Sequence, residues 1–430
     1  MRACRVLLAG ATLAVSCAAP VRTVPAHRGV TYEVRNGKWL GPDGFRSETR
    51  YVVDARLSVT RPAIVDSVID AEGGWILPPY GEAHNHNVSY TTAARTDSLL
   101  ARYVRDGVFY ALNPGDLPCS RDSLAGRINR PGMVDAAFAN GLLTATGGHP
   151  TGVYLRNLAR GGMTAADGDG GFLWLIDSRL DLERKWPRIL AGHPDVIKTV
   201  LVHSEEFARR RGDSTFFNWR GLDPALMPEI GRRAHAAGLR MMTHVETAAD
   251  FRVAVAAGAD VIGHIPGFRG DERAQLPDAA PYEISTADAR EAARRGTWVV
   301  TTLGGISPVD LHGPDSLRRQ AFDRLAARNL RVLRDAGVHI AIGSDEYRDD
   351  SVNEIRYIAA LGVFDPLTLV RLWSESTPRA IFPARRIGCL TDGCEASFLV
   401  LRQDPSLDIH NTAAISLRVK DGHPLQPRPN

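Results

Sequence analysis

Residues 239–264 read as a strand, a helix and a second strand. The first strand pattern is LRMMTH at residues 239–244, a helical pattern covers residues 248–257, and the second strand pattern is ADVIGH at residues 259–264. Both apolar runs end in a histidine. Strands that alternate with helices in this way are typical of a parallel sheet with crossover helices. The stretch therefore predicts that His244 and His264 lie at the same edge of a parallel sheet.

The same alternation extends outward over most of the chain and predicts an α/β fold. A closed (β/α)8 TIM barrel is the arrangement that eight parallel strands with crossover helices favour. The predicted strands lie at residues 80–84, 108–112, 142–146, 195–202, 240–244, 260–264, 297–303 and 339–345, and the clearest helical patterns lie at residues 92–105, 223–237, 248–257, 286–295 and 316–336.

Both ends of the chain have short strand patterns without long helices between them. Such patterns include residues 51–53 near the start and residues 397–401 and 415–419 near the end. Short apolar runs bounded by Gly and Pro are typical of β structure. We therefore expect a small β-sandwich domain built from both chain ends, residues 30–77 and 383–430. The barrel would then occupy residues 78–382.

The first 19 residues have the pattern of an export signal. Arg2 and Arg5 precede an apolar run over residues 6–15, which is long enough for a signal peptide and too short to span a bilayer as a helix. The sequence up to Cys17 is similar to a bacterial lipobox, in which the cysteine becomes lipidated; ordinary cleavage near Ala18 is the alternative. We expect an exported bacterial protein, either periplasmic or anchored to the membrane through Cys17.

The composition and net charge of the chain argue against a nucleic-acid partner. The 430 residues are 44% hydrophobic and 23% charged, with 52 Lys+Arg against 49 Asp+Glu and a net charge of +3. That charge is too small for a broad phosphate-binding surface, so no nucleic-acid partner is expected. In an oxidising compartment Cys389 and Cys394 could form a disulfide, a point that the sequence leaves open.

Five residues at predicted strand ends carry metal-binding chemistry. His84 and His86 form an H-x-H pair at the end of the first strand, and side chains at i and i+2 of a strand share a face. His244, His264 and Asp345 end three later strands. In a TIM barrel all of these strand ends meet at one mouth. A chance pair in a polar loop is the alternative for H-x-H alone, but it does not account for the placement of all five.

Lys198 lies within an apolar strand pattern in a chain that otherwise uses arginine. Only four lysines occur in the sequence, at positions 38, 185, 198 and 420. A buried ammonium is costly unless it is neutralised or paired. A neutral lysine amine can add CO₂ and become an anionic carbamate, which arginine cannot do. An ion pair with a nearby carboxylate such as Glu205 is the alternative.

Taken together, these residues resemble the binuclear members of the metal-dependent amidohydrolase superfamily, with imidazolonepropionase-like hydrolases and Xaa-Pro or Xaa-Arg dipeptidases as the nearest likenesses. The resemblance covers residues 50–425 and rests on H-x-H on strand 1, Lys on strand 4, His on strands 5 and 6 and Asp on strand 8. Glu82 departs from the pattern, since many members have Asp at that place. This departure leaves the proposed ligand set intact.

The resemblance implies two divalent metal ions in the barrel mouth. His84, His86 and Asp345 would hold one ion, His244 and His264 the other, and a carbamate on Lys198 would bridge them. Zinc suits imidazole and carboxylate ligands best, although manganese, iron or cobalt would also fit.

The reaction that the resemblance implies is hydrolysis of a C–N amide bond by a hydroxide that bridges the two metals. Asp345 would act as the proton shuttle to the leaving amine. His149 follows strand 3 and would polarise the substrate carbonyl or bind the substrate. The substrate would be a small peptide or a cyclic amide. Hydrolysis of an ester or lactone is one alternative, and a non-catalytic binding lipoprotein is another. The sequence does not predict an oligomeric state.

Overall fold

The computed structural model of the protein describes residues 29–89, 92–116, 120–159, 168–268, 278–304 and 316–425. The predicted export signal and Cys17 lie outside these residues. Within the described ranges, no helix is both long enough and apolar enough to cross a membrane.

Eighteen strands are found in the described part of the chain. In chain order they are β1 Tyr32–Gly41, β2 Gly44–Val53, β3 Arg56–Ser58, β4 Ser67–Asp70, β5 Trp75–Leu77, β6 Tyr80–Glu82, β7 Val108–Asn113, β8 Asp135–Phe138, β9 Leu142–Thr144, β10 Leu173–Leu175, β11 Val196–Val200, β12 Arg240–His244, β13 Val261–Ile262, β14 Trp298–Val300, β15 His339–Ala341, β16 Phe398–Leu401, β17 Ile415–Lys420 and β18 His423–Pro424.

Twelve α-helices lie between these strands in the same described ranges. They are α1 Ala93–Arg105, α2 Ser120–Ser123, α3 Thr151–Ala159, α4 Arg179–Ala191, α5 Phe207–Arg210, α6 Met227–Ala236, α7 Ala248–Ala256, α8 Thr286–Arg295, α9 Leu317–Asp335, α10 Val352–Ala360, α11 Pro366–Arg371 and α12 Thr377–Ile381. Several begin at a side-chain cap. Thr247 starts α7 with a capping box, in which its hydroxyl and the Asp250 carboxylate each accept a backbone N–H of the first turn.

Strands from both ends of the chain share one eight-stranded sheet. Its order is β18-β17-β16-β5-β1-β2-β3, with β4 beside β1. The junction between the two chain ends is the antiparallel pair β5 and β16, in which Leu77 faces Leu399. The predicted division of the chain into a terminal β-sandwich and a central domain stays a prediction.

The central strands form two parallel sheets. One has seven strands in the order β10-β9-β11-β12-β13-β14-β15, and the other has three in the order β6-β7-β8. Each of the eight predicted strands overlaps an observed strand, and the helices lie between them. The α/β alternation with parallel strands is therefore confirmed, while β8 and β10 were not predicted.

The predicted closed barrel is not confirmed, because the structure shows no closed sheet. Backbone hydrogen bonds do connect the two parallel sheets, from Ala83 N to Ile342 O at 2.9 Å and from Asp345 N to His84 O at 2.7 Å. Between them, the N–H groups of His84 and Ser344 donate to Glu82 Oε1 at 3.1 and 2.9 Å. The fully buried side chain of Glu82 thus accepts backbone N–H groups that would otherwise pair with a neighbouring strand.

Cys389 and Cys394 form a disulfide, which resolves the pairing that the sequence left open. The loop that they close is held against β3, since Leu57 N donates to Cys394 O at 2.8 Å and Gly393 N donates to Leu57 O at 2.8 Å. Disulfides persist in oxidising compartments. This feature is compatible with an exported protein.

Candidate metal centre

The parallel strands bring the predicted ligands to one edge of the sheets. His244 is the last residue of β12, His264 follows β13 by two residues, and His84 follows β6 by two residues. Asp345 follows the end of β15. Because the carboxyl ends of parallel strands point the same way, these side chains converge. Lys198 lies one level deeper, inside β11, where it is paired in register with Met242 of β12.

The carboxylate of Asp345 is the centre of this cluster. Its Oδ1 lies 3.5 Å from His84 Nε2 and 3.2 Å from His86 Nε2, and its Oδ2 lies 3.6 Å from His264 Nδ1. One potential ligand atom from each of His84, His264 and Asp345 falls within 4.8 Å of the others. Imidazole nitrogens and a carboxylate at this spacing can hold a divalent ion.

Two further histidines extend the cluster on one side. The ring of His244 lies 4.3 Å from that of His264, measured between centroids. The ring of His149 stacks on His244 at 4.6 Å. The structure therefore brings His149, predicted from its place after strand 3, into contact with the predicted ligands.

Backbone carbonyls orient two of the rings. His84 Nδ1 donates to Gly263 O at 2.8 Å, and His86 Nδ1 donates to Gly115 O at 3.1 Å. Each bond leaves Nε2 directed toward Asp345. Metal-binding histidines usually donate their second ring N–H to a carbonyl or carboxylate in this way.

Within the described part of the chain, Lys198 has no hydrogen-bond partner. Its side chain is 3% exposed, and its Nζ forms no hydrogen bond. The alternative ion pair with Glu205 does not occur, because Glu205 instead accepts from the hydroxyl of Thr247 at 3.0 Å and contacts His203. Burial lowers the pKa of Lys198 to about 7, against a smaller opposing effect of Asp345. A substantial fraction of neutral amine is therefore present at neutral pH.

Burial keeps the imidazoles of His84 and His149 neutral, and neighbouring groups keep Asp345 ionised. Burial, reinforced by Lys198, lowers the pKa of His84 well below its ordinary value. Burial, together with neighbouring His244, lowers the pKa of His149 to about 3. Burial opposes ionisation of Asp345, but His84, His86 and Lys198 outweigh it and hold the pKa of that carboxyl well below its usual range. Neutral imidazoles and an ionised carboxylate are the forms that bind metal.

Asp345 has a left-handed backbone conformation, with φ at 55°. Non-glycine residues rarely adopt it, although Asp and Asn tolerate it better than most. Such strain persists where the surrounding structure enforces it, and it is often found at functional sites. Here it occurs a few residues after the end of β15, where the Asp345 carboxylate lies beside the histidines.

Two side chains beside the cluster were not predicted from the sequence. Tyr347 is 51% exposed and stacks on His86 at 5.5 Å between ring centroids. Glu246 lies with its Oε1 3.1 Å from His244 Nε2. The H-x-E spacing at residues 244–246 repeats the i, i+2 relation of H-x-H and would have indicated Glu246. Nothing in the sequence marks Tyr347.

No protein-family model and no curated protein sequence matches the chain. Solved structures do match it along nearly its whole length. An ochratoxinase from A. niger superposes with a TM-score of 0.70 at 16% identity, covering 93% of this chain and 96% of that one. A prolidase complexed with N-methylphosphonate-L-proline gives 0.69 at 16% identity, covering 92% and 100%.

An amidohydrolase of known structure gives a TM-score of 0.68 at 18% identity, covering 92% of this chain and 99% of that one. At these identities the likeness concerns the fold. The chain therefore shares its fold with these three proteins.

Proposed function

We propose that this protein is a metal-dependent hydrolase that cleaves a C–N amide bond in a small peptide or a cyclic amide. One observation carries the proposal. The imidazoles of His84, His86, His244 and His264 converge with the carboxylate of Asp345 near a buried lysine amine for which the described residues offer no hydrogen-bond partner. The amidohydrolase-like fold supports it.

The imidazole and carboxylate groups present are of the kind that binds divalent ions, and we infer two such ions. His84, His86 and Asp345 would hold one, and His244 and His264 the other. Bound in pairs, such ions act as Lewis acids and lower the pKa of bound water toward about 7. Zinc is the ion that these ligands suit best. The unpartnered Nζ of Lys198 is the strongest indication that the site is incomplete as protein alone.

Lys198 would complete the site by becoming a carbamate. The neutral amine attacks CO₂, forms an N–C bond and loses one proton, and the product carries one negative charge on two oxygens. The lowered pKa of Lys198 favours this step, because only the unprotonated amine is nucleophilic. The charge also changes sign, which relieves the burial of an unpaired cation.

Asp345 and His149 would carry the proton and the hydrogen bond that amide cleavage needs. Ionised Asp345 accepts a proton from the attacking water and delivers it to the leaving amine, which is a poor leaving group until protonated. Neutral His149 donates a ring N–H to the substrate carbonyl as negative charge develops on its oxygen. Its pKa of about 3 keeps it neutral over the working range.

Export is part of the proposal. The N-terminal pattern ending near Cys17 resembles a lipoprotein signal, and the Cys389–Cys394 disulfide favours an oxidising compartment. The enzyme would then act on small substrates outside the cytoplasm, either free in the periplasm or anchored by lipid.

Removal of metal should abolish hydrolysis, and a divalent cation should restore it. The test is a panel of dipeptides, cyclic amides, esters and lactones, assayed before chelation, after chelation with metal loss verified, and after addition of Zn²⁺, Mn²⁺ or Co²⁺. We expect metal-dependent turnover of amides. Turnover of esters or lactones alone would replace amide cleavage by the alternative reaction, and full activity of metal-free protein would exclude the mechanism.

Substitution of His149 should slow the reaction without releasing metal. His149→Phe keeps a ring on His244 but has no N–H, so we expect kcat to fall by about 10²–10³, the usual loss for one donor to a developing oxyanion. His410→Asn is a matched control, because that exposed histidine pairs only with Asp408 on the surface. An unchanged kcat in His149→Phe would show that His149 does not donate a hydrogen bond to the substrate carbonyl.

A further inference from the structure

Glu246 is a carboxylate at the edge of the metal cluster to which neither the fold nor the predicted ligand set assigns a role. It follows His244 by two residues, in the connection between β12 and α7. Its Oε1 lies 3.1 Å from His244 Nε2, and its side chain is 15% exposed. A carboxylate oxygen and a ring nitrogen at this distance form a hydrogen bond.

The backbone around Glu246 is fixed independently of its side chain. The N–H groups of Glu246 and Thr247 both donate to Asp250 Oδ2 at 3.1 Å. Gly267 N donates to Glu246 O at 3.2 Å. Asp250 is fully buried, and its Oδ2 also accepts a hydrogen bond from the backbone N–H of His203 at 3.0 Å. The capping of α7 therefore sets the position from which Glu246 reaches His244.

The hydrogen bond determines which nitrogen of His244 can bind metal. An ionised carboxylate only accepts hydrogen bonds, so Nε2 must carry the proton. In a neutral imidazole the lone pair then resides on Nδ1. His84 and His86 show the opposite arrangement, with Nδ1 bound to a carbonyl and Nε2 left toward Asp345.

We propose that Glu246 is a positioning residue that holds His244 in the tautomer and orientation needed to bind the second metal ion through Nδ1. This inference rests on the proposed two-metal function. Carboxylate partners of metal-binding histidines raise the basicity of the ring and fix its orientation, and their loss typically costs about 10–100-fold in metal affinity.

The test is the affinity for each of two Zn²⁺ ions, measured by competition with a chromophoric chelator in wild type, Glu246→Ala and Glu246→Gln. In Glu246→Ala we expect the dissociation constant of one ion to rise about 10–100-fold and that of the other to stay nearly constant. Glu246→Gln should recover most of the affinity, because its amide oxygen can still accept from Nε2. The thermal midpoint of all metal-free forms should coincide.

Glu205→Ala is the matched control, because Glu205 also contacts Thr247 but touches no ring of the cluster. Its two affinities should equal those of wild type. Unchanged affinities in Glu246→Ala would overturn the inference while leaving two-metal binding intact. A Glu246→Gln variant as weak as Glu246→Ala would also overturn it and make the carboxylate itself a ligand. A wild type that binds fewer than two ions would contradict the proposed function as well.

Discussion

Lys198→Arg should lose bound metal and nearly all hydrolytic activity. The side chain of Lys198 is buried without a hydrogen-bond partner among the described residues, and it lies close enough to His84 and Asp345 to shift their pKa values. Arginine stays protonated at any working pH and cannot add CO₂. A permanent cation at this position would also repel divalent ions, so the conservative exchange is expected to be one of the most damaging.

Lys198→Ala supplies the complementary result. Without the long side chain the site has room for a small anion, so acetate or another short carboxylic acid should restore part of the metal content and part of the activity. Lys185→Arg is the matched control, because Lys185 forms an ordinary ion pair with Asp169 at 2.7 Å. It should behave like wild type. A fully metallated and active Lys198→Arg would show that this lysine does not bridge the ions.

Asp345→Asn should lower kcat by about 10²–10⁴, the usual contribution of a positioned general base. The amide has the size of the carboxylate but cannot accept the proton. Asparagine also tolerates the left-handed backbone at this position, so the substitution does not add strain there. Activity is measured at saturating Zn²⁺ or Mn²⁺, so that weaker metal binding is separated from slower chemistry.

The control for this variant is Asp349→Asn on the same loop. Asp349 pairs with Arg102 at 2.8 Å and its side chain points away from the histidines into that ion pair. Its loss should change kcat little, because exposed ion pairs contribute little. Asp345→Asn with wild-type kcat at saturating metal would rule out Asp345 as the proton shuttle.

The sequence predicts the parallel strands and the convergence of the candidate ligands for one physical reason. Parallel strands all end at the same edge, so residues that end successive apolar runs must meet. His244, His264 and Asp345 come together in this way. Lys198 is predictable because lysine is rare in the chain and its apolar surroundings make a cation costly there.

The open sheet and the position of Tyr347 are not predictable from the sequence, because they depend on contacts of individual side chains. The ladder is interrupted at the end of β8 and between β6 and β15, and at the second place Glu82 accepts backbone N–H groups of residues 84 and 344. No periodicity reveals such an exchange. Tyr347 lies over His86 because of a loop conformation that apolar patterns do not encode. Loop contacts of this kind set substrate preference, which is why the fold alone leaves the substrate open.

The metal content of the purified protein shows directly whether the chain binds two ions through Lys198. Wild type and Lys198→Arg are loaded with Zn²⁺, freed of loosely bound ions by dialysis and analysed by elemental mass spectrometry against protein concentration. If a carbamate on Lys198 bridges two metal ions, we expect about two ions per chain in wild type and a clear loss of metal in Lys198→Arg. A wild-type chain that retains no ion, or the same content in both proteins, would contradict it.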